Sequence, residues 1–319
     1  MNLQMKSEII KELVEAVSTA RGFPELMVEK DYMVSVLLER LSKIESVQIV
    51  FKGGTSLSKC YKVINRFSED IDIAIQMKPS NAKASVRKKL KQEILQAIED
   101  VGFQHINQEG VRSRRDFNRY LVKYPKQYND LKSVSPDIII ETIVIYEPYP
   151  CETREVSNYI IDYLEESEDK YILEEYGIKK FEMLVQRIDR TFIDKLYALC
   201  DYHLGNKYTR YSRHLYDVHM IYNSGYLDNA ELKKLAVLVA NDRQQVCEHN
   251  PSCSAGVKPN EILAEIVHED SFKNDYETIT SNLIHDGVVY DECIKTIQMI
   301  IEAGILPLVV NAYGKDGSA

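Results

Sequence analysis

Apolar residues at the start of the chain fall into two helical stripes and then into short alternating runs. Residues 5–20 set Ile9, Ile10, Leu13, Val14 and Val17 at helical spacing. Phe23-Pro24 interrupts that pattern, and Pro24 can open a second helix over 25–41. Leu26, Met33, Val34, Leu37, Leu38 and Leu41 form its apolar side, and Glu29-Lys30-Asp31 reads as an isolated, solvated charged face. A short apolar piece at 47–51 leads into Gly53-Gly54, Thr55-Ser56 and a helix-like run over 57–64. Asp70-Ile-Asp72-Ile-Ala-Ile then alternates with period two. Both aspartates lie on one strand face, with Ile71, Ile73 and Ile75 on the other.

Further along, 84–99 predicts a helix that is strongly basic at its start (Arg87, Lys88, Lys89, Lys91), and 101–108 and 111–124 predict strands. Residues 137–145 give the strongest later strand, with Asp137, Ile139, Glu141, Ile143 and Ile145 on one face. A helix over 157–164 and a short strand over 180–187 follow. Asp189 is then a plausible N-cap for a helix that turns Ile193, Leu196, Tyr197 and Cys200 inward. After it come helical patterns at 211–222, 228–241, 260–267, 276–283 and 291–302. The pattern predicts an α/β (α+β) domain with a mixed sheet over 1–188 and an all-α helical bundle over 189–319.

Composition is that of an ordinary soluble globular protein. The amino terminus lacks a signal-peptide layout, and the apolar tract at 304–310 is broken by Pro307 and far short of the roughly 20 residues of a membrane span. A cytoplasmic protein with no membrane partner is expected. Six scattered cysteines read as reduced thiols. Cys247, His249 and Cys253 could supply three zinc ligands but have no fourth at a familiar spacing, so a plain loop is the expectation. The net charge of −9 is uneven: residues 1–150 carry 23 Lys and Arg against 20 Asp and Glu, a balance of +3, and the remainder carries −12. An anionic partner would be drawn to the first half.

The chemistry follows from where acids and glycines fall. Paired strand carboxylates suit hard divalent cations. A glycine turn opening a helix suits phosphate. Glu141 lies inside an apolar strand, which is costly unless it is paired or meets a metal. Asp70, Asp72 and Glu141 together form a ligand set for two magnesium ions, with manganese as an alternative, in a phosphoryl or nucleotidyl displacement. Gly53, Gly54, Thr55 and Ser56 would cradle the triphosphate, and Glu141 would serve as base. Arg112, Arg114, Arg115 and Arg119, interleaved with aromatics, read either as nucleic-acid contacts or as a charged sheet edge that resists aggregation. Arg213 and Asp217 fit a helix-surface ion pair, His214 a packed histidine or a ligand, and Lys59 and Lys62 solvated side chains.

Several blocks now make a resemblance. They are Glu29-Lys30-Asp31-Tyr32, Phe51-Lys52-Gly53-Gly54-Thr55-Ser56-Leu57-Ser58-Lys59, Arg66-Phe67-Ser68-Glu69-Asp70-Ile71-Asp72 and Glu141. Two helical blocks join them, Arg190-Thr191-Phe192-Ile193-Asp194-Lys195 and Arg210-Tyr211-Ser212-Arg213-His214-Leu215-Tyr216-Asp217. Across most of its length the chain resembles the polymerase-β-like nucleotidyltransferase superfamily, and within it the AbiEii/AbiGii-type nucleotidyltransferase toxins. The resemblance implies a magnesium-dependent enzyme using a nucleoside triphosphate, as the toxin of a toxin–antitoxin or phage-defence system with a cognate antitoxin. RNA, and the tRNA 3′ end first, is the implied acceptor. A protein hydroxyl, or an idle fold acting as a binding module, are the alternatives. It also implies Lys195 as the cation for the leaving pyrophosphate, Asp217 as a further site acid, and Arg66, Ser68 and Asp194 at the nucleotide. The family usually has Glu-Lys where this chain has Asp194-Lys195, which touches only the role of Asp194. Such a site would draw on both domains.

Overall fold

The structure is a computed structural model that describes residues 3–112, 115–131 and 134–313. It divides into two compact units. The first comprises residues 1–62 and 67–186, the second 63–66 and 187–319.

The first unit holds α1 (Leu3–Arg21), α2 (Glu25–Leu41), β1 (Ile49–Lys52) and a helical turn, α3 (Gly53–Ser56), that runs into a π-helical turn over Leu57–Tyr61. Then come β2 (Asp70–Ile75), α4 (Ala84–Asp100), β3 (Gln104–His105), β4 (Phe117–Lys123) and β5 (Ile138–Ile143). It closes with β6 (Cys151–Val156), α5 (Tyr159–Glu166), α6 (Tyr171–Tyr176) and β7 (Phe181–Gln186). Its strands make one mixed sheet in the order β3-β4-β5-β2-β1-β7-β6. β2 runs parallel to β5 and β1 to β7, and the other neighbours are antiparallel.

Alternation explains which sheet face is covered. Ile49, Phe51, Ile71, Ile73, Ile75, Tyr120, Val122, Ile138 and Ile140 pack with Leu37, Leu38 and Leu41 of α2 and Leu90, Ile94 and Ile98 of α4. The intervening residues point to the opposite face. A second cluster joins Ile10, Leu13, Val14 and Val17 of α1 to Val28 and Tyr32 of α2 and Ile160, Ile161 and Leu164 of α5. Helix α2 therefore has apolar neighbours on two sides, as a helix with buried residues all round must.

The second unit contains α7 (Ile188–Leu204), α8 (Arg213–Tyr222), α9 (Asn229–Gln244), α10 (Pro259–Glu269), α11 (Lys273–Thr278) and α12 (Tyr290–Ala303). Arg66 makes an isolated antiparallel bridge to Ile284 there. No described helix is long and apolar enough to cross a membrane.

Several boundaries differ from expectation. The strand expected at 101–108 is only the two residues of β3. The strand expected at 111–124 begins at Phe117; Arg112, Arg115 and Asp116 before it are exposed. β6 was not foreseen: five of its six residues remain at least partly exposed, so it shows no clear apolar period. The helix expected over 57–64 is a π-helical turn that stops at Lys62, whose φ of 55° is left-handed. Asp189 is not the N-cap of α7. Arg187 is, while Asp189 sits in the first turn and accepts from the Arg190 N–H at 2.8 Å. The helix expected at 276–283 breaks between α11 and a 3-10 turn at Thr280–Leu283.

Ile73 is fully buried under α2 and α4. Ile73→Ala should cost about 2–5 kcal/mol in urea unfolding monitored by circular dichroism.

Candidate functional site

The open face of the sheet carries a row of charge. In register, Lys52 of β1 pairs with Asp72 of β2, Asp72 with Glu141 of β5, and Glu141 with Arg119 of β4. Directly paired residues project to the same face, so base, acid, acid and base stand side by side across four strands. Asp70 follows on the same face, opposite Ile139. Asp70, Asp72 and Glu141 are all half-buried. The Arg119 guanidinium, itself 53% exposed, lies 3.6 Å from Glu141.

Gly53 is fitted to this row. Its φ of +78° is one that side-chain-bearing residues rarely adopt, and a Cβ there would lie 1.9 Å from Oδ2 of Asp72. The glycine turn and the aspartate are thus packed backbone against carboxylate. Gly54 is half-exposed beside it. Thr55 and Ser56 are buried: the Thr55 hydroxyl meets that of Ser68 at 2.9 Å, and Ser56 donates to the Gly53 carbonyl at 2.9 Å. What the turn offers an anion is its glycine backbone and the half-buried Ser68. The Ser56 hydroxyl is engaged in closing the turn.

Among the described residues no group of three or more His, Cys, Asp or Glu side chains is arranged to hold a metal ion. The donor set nevertheless fits a hard divalent ion. Asp72 and Glu141 are neighbours about 4.8 Å apart by the spacing of paired strands, and all the donors are carboxylate oxygens.

The second unit gathers Arg66, Lys195 and Asp217. Asp217 accepts from Arg66 Nε and Nη2, both at 2.7 Å, and from Lys195 Nζ at 2.6 Å. Asp217 is fully buried and both bases nearly so. Burial opposes charge on Asp217, but Arg66 and Lys195 outweigh it and hold the carboxyl well below its usual range. Burial lowers the Lys195 pKa, partly offset by Asp217. The expectation of a surface pair between Arg213 and Asp217 is therefore corrected: Asp217 faces inward and serves two bases from other segments. Burial also pushes the imidazole of His214 far down, with Lys195 and Arg213 adding to the effect. Its ring lies 5.4 Å from that of Tyr202 and 6.4 Å from that of Tyr211, so it packs among aromatic rings. Asp194 accepts from Arg190 Nε at 3.2 Å and Arg243 Nη1 at 3.4 Å, tying α7 to α9.

Two further expectations fail. Glu29, Lys30 and Asp31 are buried, not solvated, because both sides of α2 are covered. Lys59 is also buried, its ammonium 2.5 Å from Asp31, while Lys62 is exposed and pairs with Asp162. Arg112 and Arg115 are exposed, and Arg114 lies outside the described residues. Cys253 is buried, and burial raises its thiol to about 11. His249 is exposed, and the side chain of Cys247 lies outside the described residues. Sequence reasoning missed Lys52 in the charged row. Its signal was its place as the last residue of the strand before the glycine turn.

A family model described as nucleotidyl transferase AbiEii toxin, type IV TA system, matches residues 36–293. No curated protein matches the chain. Among solved structures, the chain is similar to MenT4, a nucleotidyltransferase toxin from Mycobacterium tuberculosis, at 18% identity and a TM-score of 0.58. That likeness covers 91% of this chain and 88% of that one, and it shows a shared fold. A nucleotidyltransferase from H. pylori matches at 17% identity and a TM-score of 0.40, over 88% of this chain and 95% of that one, too low to carry an argument.

Removing the charge of Asp217 strands two buried bases, so Asp217→Asn should destabilise the protein by about 3–5 kcal/mol at neutral pH. Because its folded pKa is depressed, the stabilising contribution is full above the unfolded value of about 4 and fades as pH falls below it. Denaturant unfolding across that range should show the gap between wild type and variant narrowing on acidification.

Proposed function

The chain belongs to the AbiEii nucleotidyl transferase toxin family of type IV toxin–antitoxin systems, and from that premise we propose that it moves a nucleotidyl group from a nucleoside triphosphate to RNA, the tRNA 3′ end first. One observation carries the reading: Asp72 and Glu141 stand paired on the open sheet face with the Gly53 turn packed against Asp72.

In this reading Asp70, Asp72 and Glu141 would hold two magnesium ions. When bound, magnesium neutralises the triphosphate and lowers the pKa of the acceptor hydroxyl. Glu141 takes the proton of that hydroxyl. Gly53, Gly54 and Ser68 admit the phosphates to the backbone, with Thr55 and Ser56 shaping the turn beneath. Lys195 and Arg66 supply positive charge for the leaving pyrophosphate. The fully buried Asp217 acts through them, by holding both bases in place. Asp194 acts through α7, where two arginines engage its carboxylate.

The acceptor reading draws on β4. Arg119 and Lys123 are exposed on it, as are Arg112 and Arg115 in the segment before it; Phe117 is 44% exposed, and Arg119 stands in register with Glu141. A strand of cations with an aromatic at its start suits an RNA backbone and an unstacked base. Family membership implies an antitoxin partner, and we place the reaction in the cytoplasm with its acceptor.

Incubation with each labelled nucleoside triphosphate, magnesium, total RNA and total cell protein tests the proposal. Label should enter the RNA fraction and fall to background in Asp72→Ala, whose fold should survive because the residue is on the open face. Label confined to protein would replace the acceptor, and full activity in Asp72→Ala would remove the carboxylate assignment. Lys195→Ala should raise the apparent KM for the triphosphate; an unchanged nucleotide dependence would take Lys195 out of the site.

A further inference from the structure

Helix α2 buries Glu29, Lys30 and Asp31, none of which the chemistry above uses. The Lys30 ammonium has three donors and all three are engaged: the Glu69 carboxylate, the Ser135 carbonyl at 2.7 Å and the Asp137 carbonyl at 2.9 Å. Glu69 in turn accepts from the Ser135 N–H at 3.1 Å. Glu69 immediately precedes β2, and Asp137 immediately precedes β5. One ammonium therefore grips the entrances of both carboxylate strands at the end where Asp70 lies opposite Ile139.

The next residue holds the other half of the first unit's site. Asp31 Oδ1 accepts from Lys59 Nζ, whose remaining donors go to the Asp31 carbonyl at 2.9 Å and the Ser35 hydroxyl at 3.0 Å. Asp31 Oδ2 accepts from the Tyr159 N–H at 2.8 Å. Lys59 lies in the π-helical turn that continues the Gly53–Ser56 turn. Lys30 and Lys59 have nearly no exposed surface.

We propose that Lys30 and Asp31 are positioning residues that fix the carboxylate strands and the glycine turn to one rigid helix, and so set their mutual placement. The inference rests on the reading of Asp70, Asp72, Glu141 and the glycine turn as a metal and triphosphate site. Apolar packing could fill the same volume at similar or lower free-energy cost. It could not fix a carboxylate and two carbonyls at bond length, as an ammonium with three satisfied donors does. Outer contacts of this kind orient ligands that they never share with the metal. The same arrangement explains why charged residues interrupt an otherwise apolar helix.

The test uses the full chain without metal or nucleotide, then with Mn2+. In hydrogen–deuterium exchange, Lys30→Met should speed exchange at 70–75 and 138–143 and leave 151–156 and 181–186 as in wild type. Lys59→Met should speed exchange at 53–61 instead. By electron paramagnetic resonance, Lys30→Met should weaken Mn2+ binding about tenfold, the scale of lost outer-shell support. Should Lys30→Met not fold, Glu69→Gln takes its place with the same two readouts. Exchange that rises uniformly over the first unit, or not at all in the two strands, overturns the inference. If the strand-specific exchange appears but wild type binds no Mn2+ through Asp72, the positioning stands and the metal-site reading fails.

Discussion

The parallel pairing of β2 with β5 is the constraint on which the rest depends. It sets Asp72 opposite Glu141, with Lys52 of β1 and Arg119 of β4 flanking them. A slip of one residue would turn Asp70, Asp72 and Glu141 into the apolar face and bring the isoleucines out. That slip is prevented from beneath, because Ile71, Ile73, Ile138 and Ile140 are buried against α2 and α4. The hydrophobic core and the charged row are two faces of one alternation, and the chemistry takes its geometry from the packing.

Buried charge marks both units, with different consequences. In the first, Lys30 and Lys59 have every donor satisfied, so the pairs can be neutral in net stability while still fixing geometry. In the second, one carboxylate, Asp217, serves two bases. Losing it would leave positive charge buried, which is why its pKa is held down despite its burial. Such a carboxylate holds its two bases in place.

Much of this was legible in the chain. The isoleucine alternation around Asp70 and Asp72 placed β2 and its two faces, and the acid enclosed by apolar residues in 137–145 pointed to Glu141. The mixed sheet and the nucleotidyltransferase family follow the expectation drawn from those blocks. Charge without its neighbours was harder to read. Glu29, Lys30 and Asp31 look solvated on a helical wheel, and only the packing of α1, α4 and α5 around α2 shows that they are enclosed. Lys59 and Asp217 misled for the same reason, since their partners lie 28 and 151 residues away in Asp31 and Arg66. β6 is hard to read because its partly exposed residues show no clear apolar period.

Anomalous scattering from a crystal grown with Mn2+ and a non-hydrolysable triphosphate analogue tests the central claim most directly. The account predicts manganese bound between Asp72 and Glu141, with the phosphates against the Gly53–Gly54 backbone. Manganese bound elsewhere, with Asp72 and Glu141 making no contact to it, would contradict the account.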